Sequence, residues 1–273
     1  MSKRPEWWLA LLAKIWPLTW ISAQACQWPV VGPLIAKASI PFFSGRNLNI
    51  SYLPINEELD GGSTLLPIRV VEEFIERSSH RVILKRCTCR DARQCENHPV
   101  DLGCMLLGEG TRHIDPRIVH HISREEAVAH LHRCITDGLV PMIGRVKIDN
   151  LIWGVPDEGK MLTICFCCSC CCTLWTSGKY LPREAAASMV RLKGLEMKVD
   201  HDECRLCGTC VGECNMAAIS IVGDRVVHDM TKCIGCGWCV TVCPWTAITP
   251  EIKDVDDALG ELRTRIETLV DVE

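Results

Sequence analysis

Residues 204–214, CRLCGTCVGEC, and residues 233–244, CIGCGWCVTVCP, repeat one spacing of cysteines. Each stretch carries four cysteines in the order CxxCxxCxxxC, namely Cys204, Cys207, Cys210 and Cys214, then Cys233, Cys236, Cys239 and Cys243. In this spacing three cysteines on a tight loop cap one face of an iron–sulfur cube, and the fourth ligates the neighbouring cube. Zinc sites rarely use such an interleaved repeat. We therefore expect two cubes in the last third of the chain.

Over about residues 196–250 the sequence resembles the bacterial-type two-[4Fe-4S] ferredoxins, most closely in CIGCGWCVTVCP. The resemblance implies that Cys204, Cys207, Cys210 and Cys243 hold one cube, and that Cys233, Cys236, Cys239 and Cys214 hold the other. The stretch AISIVGDRVVHD matches the hairpin of that family, with its turn at Gly223 and Asp224. Asn215 is a departure, because a proline often follows the fourth cysteine. It can change the loop or the potential of the second cube, but it removes no ligand.

The cysteine content sets the class of protein. The chain has 273 residues, of which 48% are hydrophobic, 23% are charged and 20 are cysteines. A length of this order predicts about two domains. The cysteines fall into tight runs, which favour metal coordination over disulfides. These features indicate a reducing, anaerobic cytoplasm.

The charge is unevenly distributed. The net charge is −4, and the segment from Asp200 onward carries six basic and fourteen acidic residues. There is no polybasic block, so we do not expect nucleic acid as a partner. The acidic C-terminal part is either a docking surface for a basic partner or a solvated face.

The front part of the chain holds a second collection of cysteines. They are spaced CxC-x5-C-x8-C and then packed into CFCCSCCC, residues 165–172, and they comprise Cys87, Cys89, Cys95, Cys104, Cys165, Cys167, Cys168, Cys170, Cys171 and Cys172. If residues 165–172 continue the preceding strand, Cys165, Cys167 and Cys171 lie on one face, and the other three lie opposite. These ten residues could bind two cubes, or one cube and a centre of unusual geometry. One or two further iron–sulfur clusters are therefore expected here, with a structural zinc site as the main alternative.

Two resemblances bear on this front part. The stretches RCTCRDARQCENHPVDLGCMLLGEG, GLVPMIGRVKIDNLIWGV and LTICFCCSCCC look like a family of uncharacterised ferredoxin-like proteins from anaerobes, over most of residues 53–175. That resemblance supports a two-part architecture and implies no reaction. Adjacent cysteines also occur at the non-cubane clusters of heterodisulfide-reductase-like proteins. The basic residues Lys85, Arg86, Arg90 and Arg93 would stabilise thiolates, or else form a basic surface beside structural thiols.

The first 52 residues are rich in tryptophan, with five of the nine in the chain at Trp7, Trp8, Trp16, Trp20 and Trp28. Tryptophan suits the membrane interface, and Lys14 and Pro17 disfavour a membrane-spanning helix. We expect an interfacial anchor or a partner-docking segment. Packing against the chain's own domain, spanning of a membrane and cleavage as a signal peptide remain as alternatives.

The predicted fold class is α+β: a Cys-rich α/β front domain followed by a ferredoxin-type two-cluster domain. We predict an anchor or docking segment over residues 1–52, a metal-binding domain over 53–195, the ferredoxin domain over 196–250 and an acidic C-terminal helix over 251–273. Helices are expected at PIRVVEEFIERSS, at SREEAVAHLHRCITDG with a capping box of Ser123 and Glu126, and over residues 182–193. Strands are expected at RVILKRCTC, LVPMIGRVKI and KMLTICF.

Together these features predict an iron–sulfur protein that relays low-potential electrons within a larger, membrane-associated redox complex. Its partners would be redox proteins and a membrane surface or membrane-bound subunit, at the inner face of the cytoplasmic membrane. One alternative is an oxidoreductase whose front-domain cluster reduces a substrate directly. Another is a zinc-containing redox sensor or interaction module. Cys26 and Cys134 are expected to be ordinary apolar residues. His130, which shares a helix face with Cys134, is expected to be a surface or packed histidine, with a ligand or proton-relay role as the alternative.

Overall fold

The computed structural model of the protein describes residues 4–43, 45–54 and 66–273, and it has the mixed α+β fold that the sequence predicts. The turn signals at residues 60–62 lie outside the described residues.

The tryptophan-rich segment forms three short helices that lie on the front domain. They are α1 (Glu6–Ile15), α2 (Pro17–Ala25) and α3 (Gly32–Ser39), followed by a 3-10 turn at Ile40–Phe43. The indole N–H of Trp8 donates to the carbonyl of Ile152 at 2.8 Å, and that of Trp16 donates to the hydroxyl of Thr173 at 2.7 Å. The inner face of the segment therefore packs on its own domain. No helix among the described residues is long and apolar enough to cross a membrane.

The front domain is built on one antiparallel sheet. In chain order its elements are β1 (Leu48–Tyr52), α4 (Leu66–Arg77), β2 (Arg81–Leu84), α5 (Thr88–Ala92), β3 (Met105–Leu107), β4 (Val119–His121), α6 (Arg124–Thr136), β5 (Val140–Val146), α7 (Lys147–Trp153), β6 (Leu162–Cys167), α8 (Thr173–Ser177) and α9 (Arg183–Ala186). The strand order is β1-β5-β6-β3-β2-β4, and every neighbouring pair is antiparallel. The central strands β6 and β3 thus bring the CFCCSCCC stretch beside Cys104.

Local sequence signals explain most of these elements. Helix α6 begins with the predicted capping box, in which Ser123 and Glu126 exchange side-chain and backbone hydrogen bonds. The helix predicted over residues 182–193 is wrong beyond Ala186. There the chain instead pairs with the open edge of β1, because the N–H of Val190 donates to the carbonyl of Ile50 at 2.7 Å.

The C-terminal part contains two short sheets and three helices. Its elements are β7 (Leu195–Val199), α10 (Thr209–Glu213), β8 (Ile219–Val222), β9 (Arg225–His228), α11 (Trp238–Thr241), β10 (Ile248–Ile252) and α12 (Val255–Glu267). Strands β7 and β10 pair antiparallel. Strands β8 and β9 form the predicted hairpin, and Gly223 in its turn has a φ of 63°.

The C-terminal helix returns to the front domain. Leu262 and Ile266 of α12 are buried in a hydrophobic cluster that also contains Val71 and Phe74 of α4. At the edge of this contact the guanidinium of Arg263 pairs with the carboxylate of Glu73 at 2.6 Å. The hydrophobic core therefore continues across the predicted domain boundaries, and the proposed division into domains remains a prediction.

Candidate metal centres

The two C-terminal motifs have the same backbone as well as the same spacing. Glycines at matching positions, Gly208 and Gly237, precede α10 and α11 in left-handed conformations with φ of 77° and 76°. Leu206 has a φ of 52° where its counterpart Gly235 has 72°. Such turns aim backbone N–H groups at the enclosed space, which suits an anionic cluster.

The first motif gathers its cysteines around the last cysteine of the second motif. Burial raises the pKa of Cys210, and negative charge on Cys243, Cys204 and Cys207 adds to this effect. Cys207 is exposed, so this group lies at the surface. The structure thus brings together the four residues that the ferredoxin resemblance implies for one cube.

The second motif encloses a small cavity of about 30 Å³. Its lining includes the four remaining cysteines of the repeat, Cys214, Cys233, Cys236 and Cys239. The buried Nε2 atom of His228, whose residue also lines this cavity, has no hydrogen-bond partner among the described residues. Four convergent thiols and an unpartnered polar atom fit a cluster there. Burial raises the pKa of Cys239 well above the ordinary value of a thiol, and negative charge on Cys210 adds to the effect, so the two groups are adjacent.

Replacing Gly235 with alanine is expected to destabilise the protein by about 2 kcal/mol or more, because a Cβ in the left-handed region is strained. That Cβ would also meet Leu195 Cδ2 at 2.6 Å and Arg191 Cγ at 2.8 Å. The matched variant is Leu206→Gly, which relieves the same conformation in the other motif and should cost less than about 0.5 kcal/mol. The two variants are compared by their thermal midpoints of unfolding and by their iron content per chain. Equal effects of both variants would contradict this interpretation.

The predicted strand KMLTICF is present as β6, but it does not continue through CFCCSCCC. Strand β6 stops at Cys167, and residues 168–171 form a turn in which the N–H of Cys172 donates to the carbonyl of Cys168 at 3.2 Å. The alternation of faces therefore holds for Cys165 and Cys167, and it is wrong for the residues after them. Because of this turn, the ten front cysteines form two separate groups.

The first of these is a four-cysteine group of Cys95, Cys168, Cys170 and Cys171, whose Sγ atoms all lie within 4.8 Å of one another. This group could hold a metal. Cys168 and Cys171 are buried and Cys170 is exposed, so it lies just under the surface. Burial acts to raise the pKa of Cys95, but the backbone N–H groups of Asn97 and His98 lower it overall.

The second is a six-cysteine group of Cys87, Cys89, Cys104, Cys165, Cys167 and Cys172. Two close contacts join it, Cys104 Sγ to Cys165 Sγ and Cys172 Sγ to Cys167 Sγ, each at 3.1 Å. Cys89 neighbours Cys172 and Cys87, and hydrogen bonding with them holds the pKa of Cys89 well below the usual value of a thiol. Hydrogen bonding with Cys104 and Cys89, together with burial, raises the pKa of Cys87 well above the usual value of a thiol.

A buried arginine lies between the two front groups. The Arg90 side chain is 1% exposed, and it donates to the carbonyls of Pro99 at 3.0 Å, Phe166 at 2.9 Å and Leu102. Burial acts to lower the pKa of Arg90, but Cys87, Cys104 and Cys168 raise it overall. Cys87 and Cys104 belong to the six-cysteine group and Cys168 belongs to the four-cysteine group. One buried cation therefore lies near the thiols of both groups.

The other basic residues of this stretch have different positions. Arg93 donates to the carbonyl of Cys170 at 3.2 Å and stacks over the ring of Trp20 at 4.9 Å, which ties α2 to the four-cysteine group. Arg86 pairs with Asp91 at the surface. Sequence reasoning named these cations, but it could not separate the buried Arg90 from its exposed neighbours.

Aromatic residues connect the six-cysteine group to the second C-terminal motif. Trp175, at 1% exposure, contacts the ring of Tyr52 at 5.6 Å and that of Trp238 at 5.7 Å. Burial raises the pKa of Tyr52 well above its usual value, and negative charge on Cys167, Cys172 and Cys236 adds to the effect. Sequence reasoning missed Tyr52 and Trp175, since no motif marks either one.

Asn215, the departure from the ferredoxin pattern, makes a second connection. Its side-chain amide donates to the carbonyl of Ser169 at 3.4 Å, within the CFCCSCCC turn. A proline at this position could not make that bond. His130 and Cys134 lie elsewhere, buried in the core at 3.5 Å from each other, as expected for packed residues.

Comparison with known families agrees with the C-terminal geometry. The family model of the 4Fe-4S binding domain matches residues 226–249, which include Cys233, Cys236, Cys239 and Cys243. The chain is an iron–sulfur binding protein. No curated protein matches it. Its front domain adds a four-cysteine group that could hold a further metal.

Proposed function

We propose that the protein is a multi-cluster electron carrier in which electrons enter at the surface-exposed first cube, pass to the second cube and reach the front domain. When bound, the clusters supply one-electron carriers of low potential. Cys204, Cys207, Cys210 and Cys243 would hold the first cube, and Cys214, Cys233, Cys236 and Cys239 the second.

The observation that carries this proposal is the contact between the second motif and the front cysteines. Tyr52 is buried near Cys236 and near the pair Cys167 and Cys172, and the buried ring of Trp175 packs on it at 5.6 Å. Asn215 adds a direct hydrogen bond to the turn that holds the four-cysteine group. The chain thus supports a continuous row of sites from Cys207 at the surface into the front domain.

The test is anaerobic reduction of the full chain with a reduced viologen dye, followed by electron paramagnetic resonance and by the rate of bleaching of visible absorption. We expect low-potential signals of two interacting cubes, and slower reduction of the remaining clusters in Cys207→Ser. A protein that shows no paramagnetic reduced cluster, or a variant that is reduced at the parental rate, would contradict the proposed route.

We further propose that the outer face of α1–α3 binds an anionic membrane surface, which would place the protein at the inner face of the cytoplasmic membrane. Trp7, Leu18, Trp28, Val30 and Leu34 are each more than half exposed on this segment. Residues 1–52 also carry five basic residues and one acidic residue. Apolar side chains beside excess positive charge favour the interface of anionic lipid.

Sedimentation with vesicles tests this binding. The protein is expected to bind phosphatidylglycerol vesicles and to bind phosphatidylcholine vesicles weakly, because the basic residues contribute about 1 kcal/mol each only at a negative surface. The double variant Trp28→Ser and Leu34→Ser should lose most of the binding. Val222→Ser, which removes an apolar side chain that is 62% exposed on the β8–β9 hairpin, is the matched control and should bind like the parent. Equal binding by both variants would rule out the outer face of α1–α3.

A further inference from the structure

We propose that the six-cysteine group holds a polynuclear iron–sulfur centre with more than four protein thiolates, separate from the four-cysteine group. The inference goes beyond the proposed function, since a cube used for electron transfer needs only four thiolates. It assigns Cys87, Cys89, Cys104, Cys165, Cys167 and Cys172 to a single site.

The six thiols form one connected set. The Sγ atoms of Cys104 and Cys165 lie 3.1 Å apart, and so do those of Cys172 and Cys167. Cys87 neighbours Cys104 and Cys89, and Cys89 neighbours Cys172, so the two pairs belong to one set. Cys165 and Cys167 also lie two residues apart on β6 and therefore on the same face of the sheet. Three different elements supply these residues: the segment around α5, the start of β3, and β6 with the turn after it. The fold therefore converges on this site from positions about eighty residues apart.

The number of thiols indicates which kind of metal centre the site can hold. Zinc in structural sites is held by four ligands in a tetrahedron, so six thiols exceed what one zinc ion takes. A single cube uses four cysteines and would leave two of the six thiols without a role. Thiolates at these separations repel one another unless positive charge lies among them. A centre of several iron ions accommodates all six.

The site has room for inorganic sulfide and iron. A cavity of about 220 Å³ lies against the group, and its lining includes five of the six cysteines, all but Cys167. The other walls are mostly apolar, from residues such as Trp16, Ile152 and Trp153. The thiols can move apart into this space on binding a cluster.

Two buried hydroxyls beside the six-cysteine group have no hydrogen-bond partner among the described residues and would accept or donate a bond to a bound cluster. The hydroxyls of Tyr52 and Thr88 are buried and have no hydrogen-bond partner among the described residues. Tyr52 is 0% exposed and neighbours Cys167 and Cys172, while Thr88 lies between Cys87 and Cys89 and lines the cavity. A buried donor without a partner is costly, and a cluster sulfide or cysteine sulfur would satisfy both hydroxyls.

The test combines iron counting with single substitutions in the full chain, purified without oxygen. The two C-terminal cubes hold about eight irons and the four-cysteine group about four, so the unmodified protein should contain clearly more than about twelve. Each of the six single Cys→Ser variants should alter one shared Mössbauer or paramagnetic signal. Cys168→Ser should alter a different signal, and Cys134→Ala, at an isolated buried cysteine, should alter none.

Three results would overturn the proposal. The first is about twelve irons or fewer in the unmodified protein, a readout that does not depend on any variant folding. The second is zinc in place of iron in the front domain. The third is a shared signal that responds to only four of the six substitutions, or disulfides joining Cys104 to Cys165 and Cys167 to Cys172 in the anaerobic protein.

Discussion

Replacing Arg90 with methionine is expected to destabilise the protein by about 3–5 kcal/mol, which corresponds to a thermal midpoint lower by roughly 5–15 °C. The guanidinium donates to the carbonyls of Pro99, Phe166 and Leu102, and all three would lose a buried partner. It is also the cation that neighbours both front cysteine groups. We therefore expect the variant to lose front-domain iron while it keeps the iron of the C-terminal motifs.

The matched control is Arg86→Met, four residues earlier on the same stretch. Arg86 is exposed and pairs with Asp91 at the surface, so its loss should cost less than about 1 kcal/mol. Thermal unfolding under anaerobic conditions and iron per chain compare the two variants. Similar losses from both, or uniform loss of iron from all sites in Arg90→Met, would contradict a specific role for the buried arginine.

Replacing Trp175 with alanine is expected to cost about 3–5 kcal/mol, as for other buried tryptophans. Its ring lies between Tyr52 of the front domain and Trp238 of the second C-terminal motif. The cavity left by the substitution would remove the contact between the front domain and the second C-terminal motif. We therefore also expect slower reduction of the front clusters by the viologen-reduced cubes.

Two further variants test whether the effect comes from the aromatic ring at position 175 or from the loss of any tryptophan. Trp175→Phe keeps an aromatic ring between the same neighbours and should recover much of the stability and of the reduction rate. Trp245→Ala removes a half-exposed tryptophan that stacks on Arg205 in the C-terminal part and should cost less than about 1 kcal/mol. The contact between domains is unimportant if Trp175→Ala transfers electrons to the front domain at the parental rate.

The C-terminal fold could be predicted from the sequence because its signals are local. The cysteine spacing, the glycines before each short helix and the Gly223 turn each act within a few residues. The pairing of Cys243 with the first motif and Cys214 with the second came from the ferredoxin resemblance. The geometry places the same residues together, and their role as cluster ligands remains to be measured.

The front cysteines could be identified from the sequence, but their division into a four-cysteine and a six-cysteine group could not be predicted. Their grouping depends on β6 ending at Cys167 and on the register that places Cys104 beside Cys165, which are properties of the sheet. Cys95 joins the turn after β6, while Cys87, Cys89 and Cys104 join the other group. Tyr52 and Trp175 could not be found in advance, because residues far apart in the chain create their environment.

The most direct test of the whole account is the content of iron, acid-labile sulfide and zinc per chain, measured on protein purified without oxygen. We expect about sixteen irons or more with matching sulfide and no zinc, since both front groups and both C-terminal motifs would be filled. About eight irons together with zinc would contradict it, because the front domain would then be structural and could not receive electrons from the cubes.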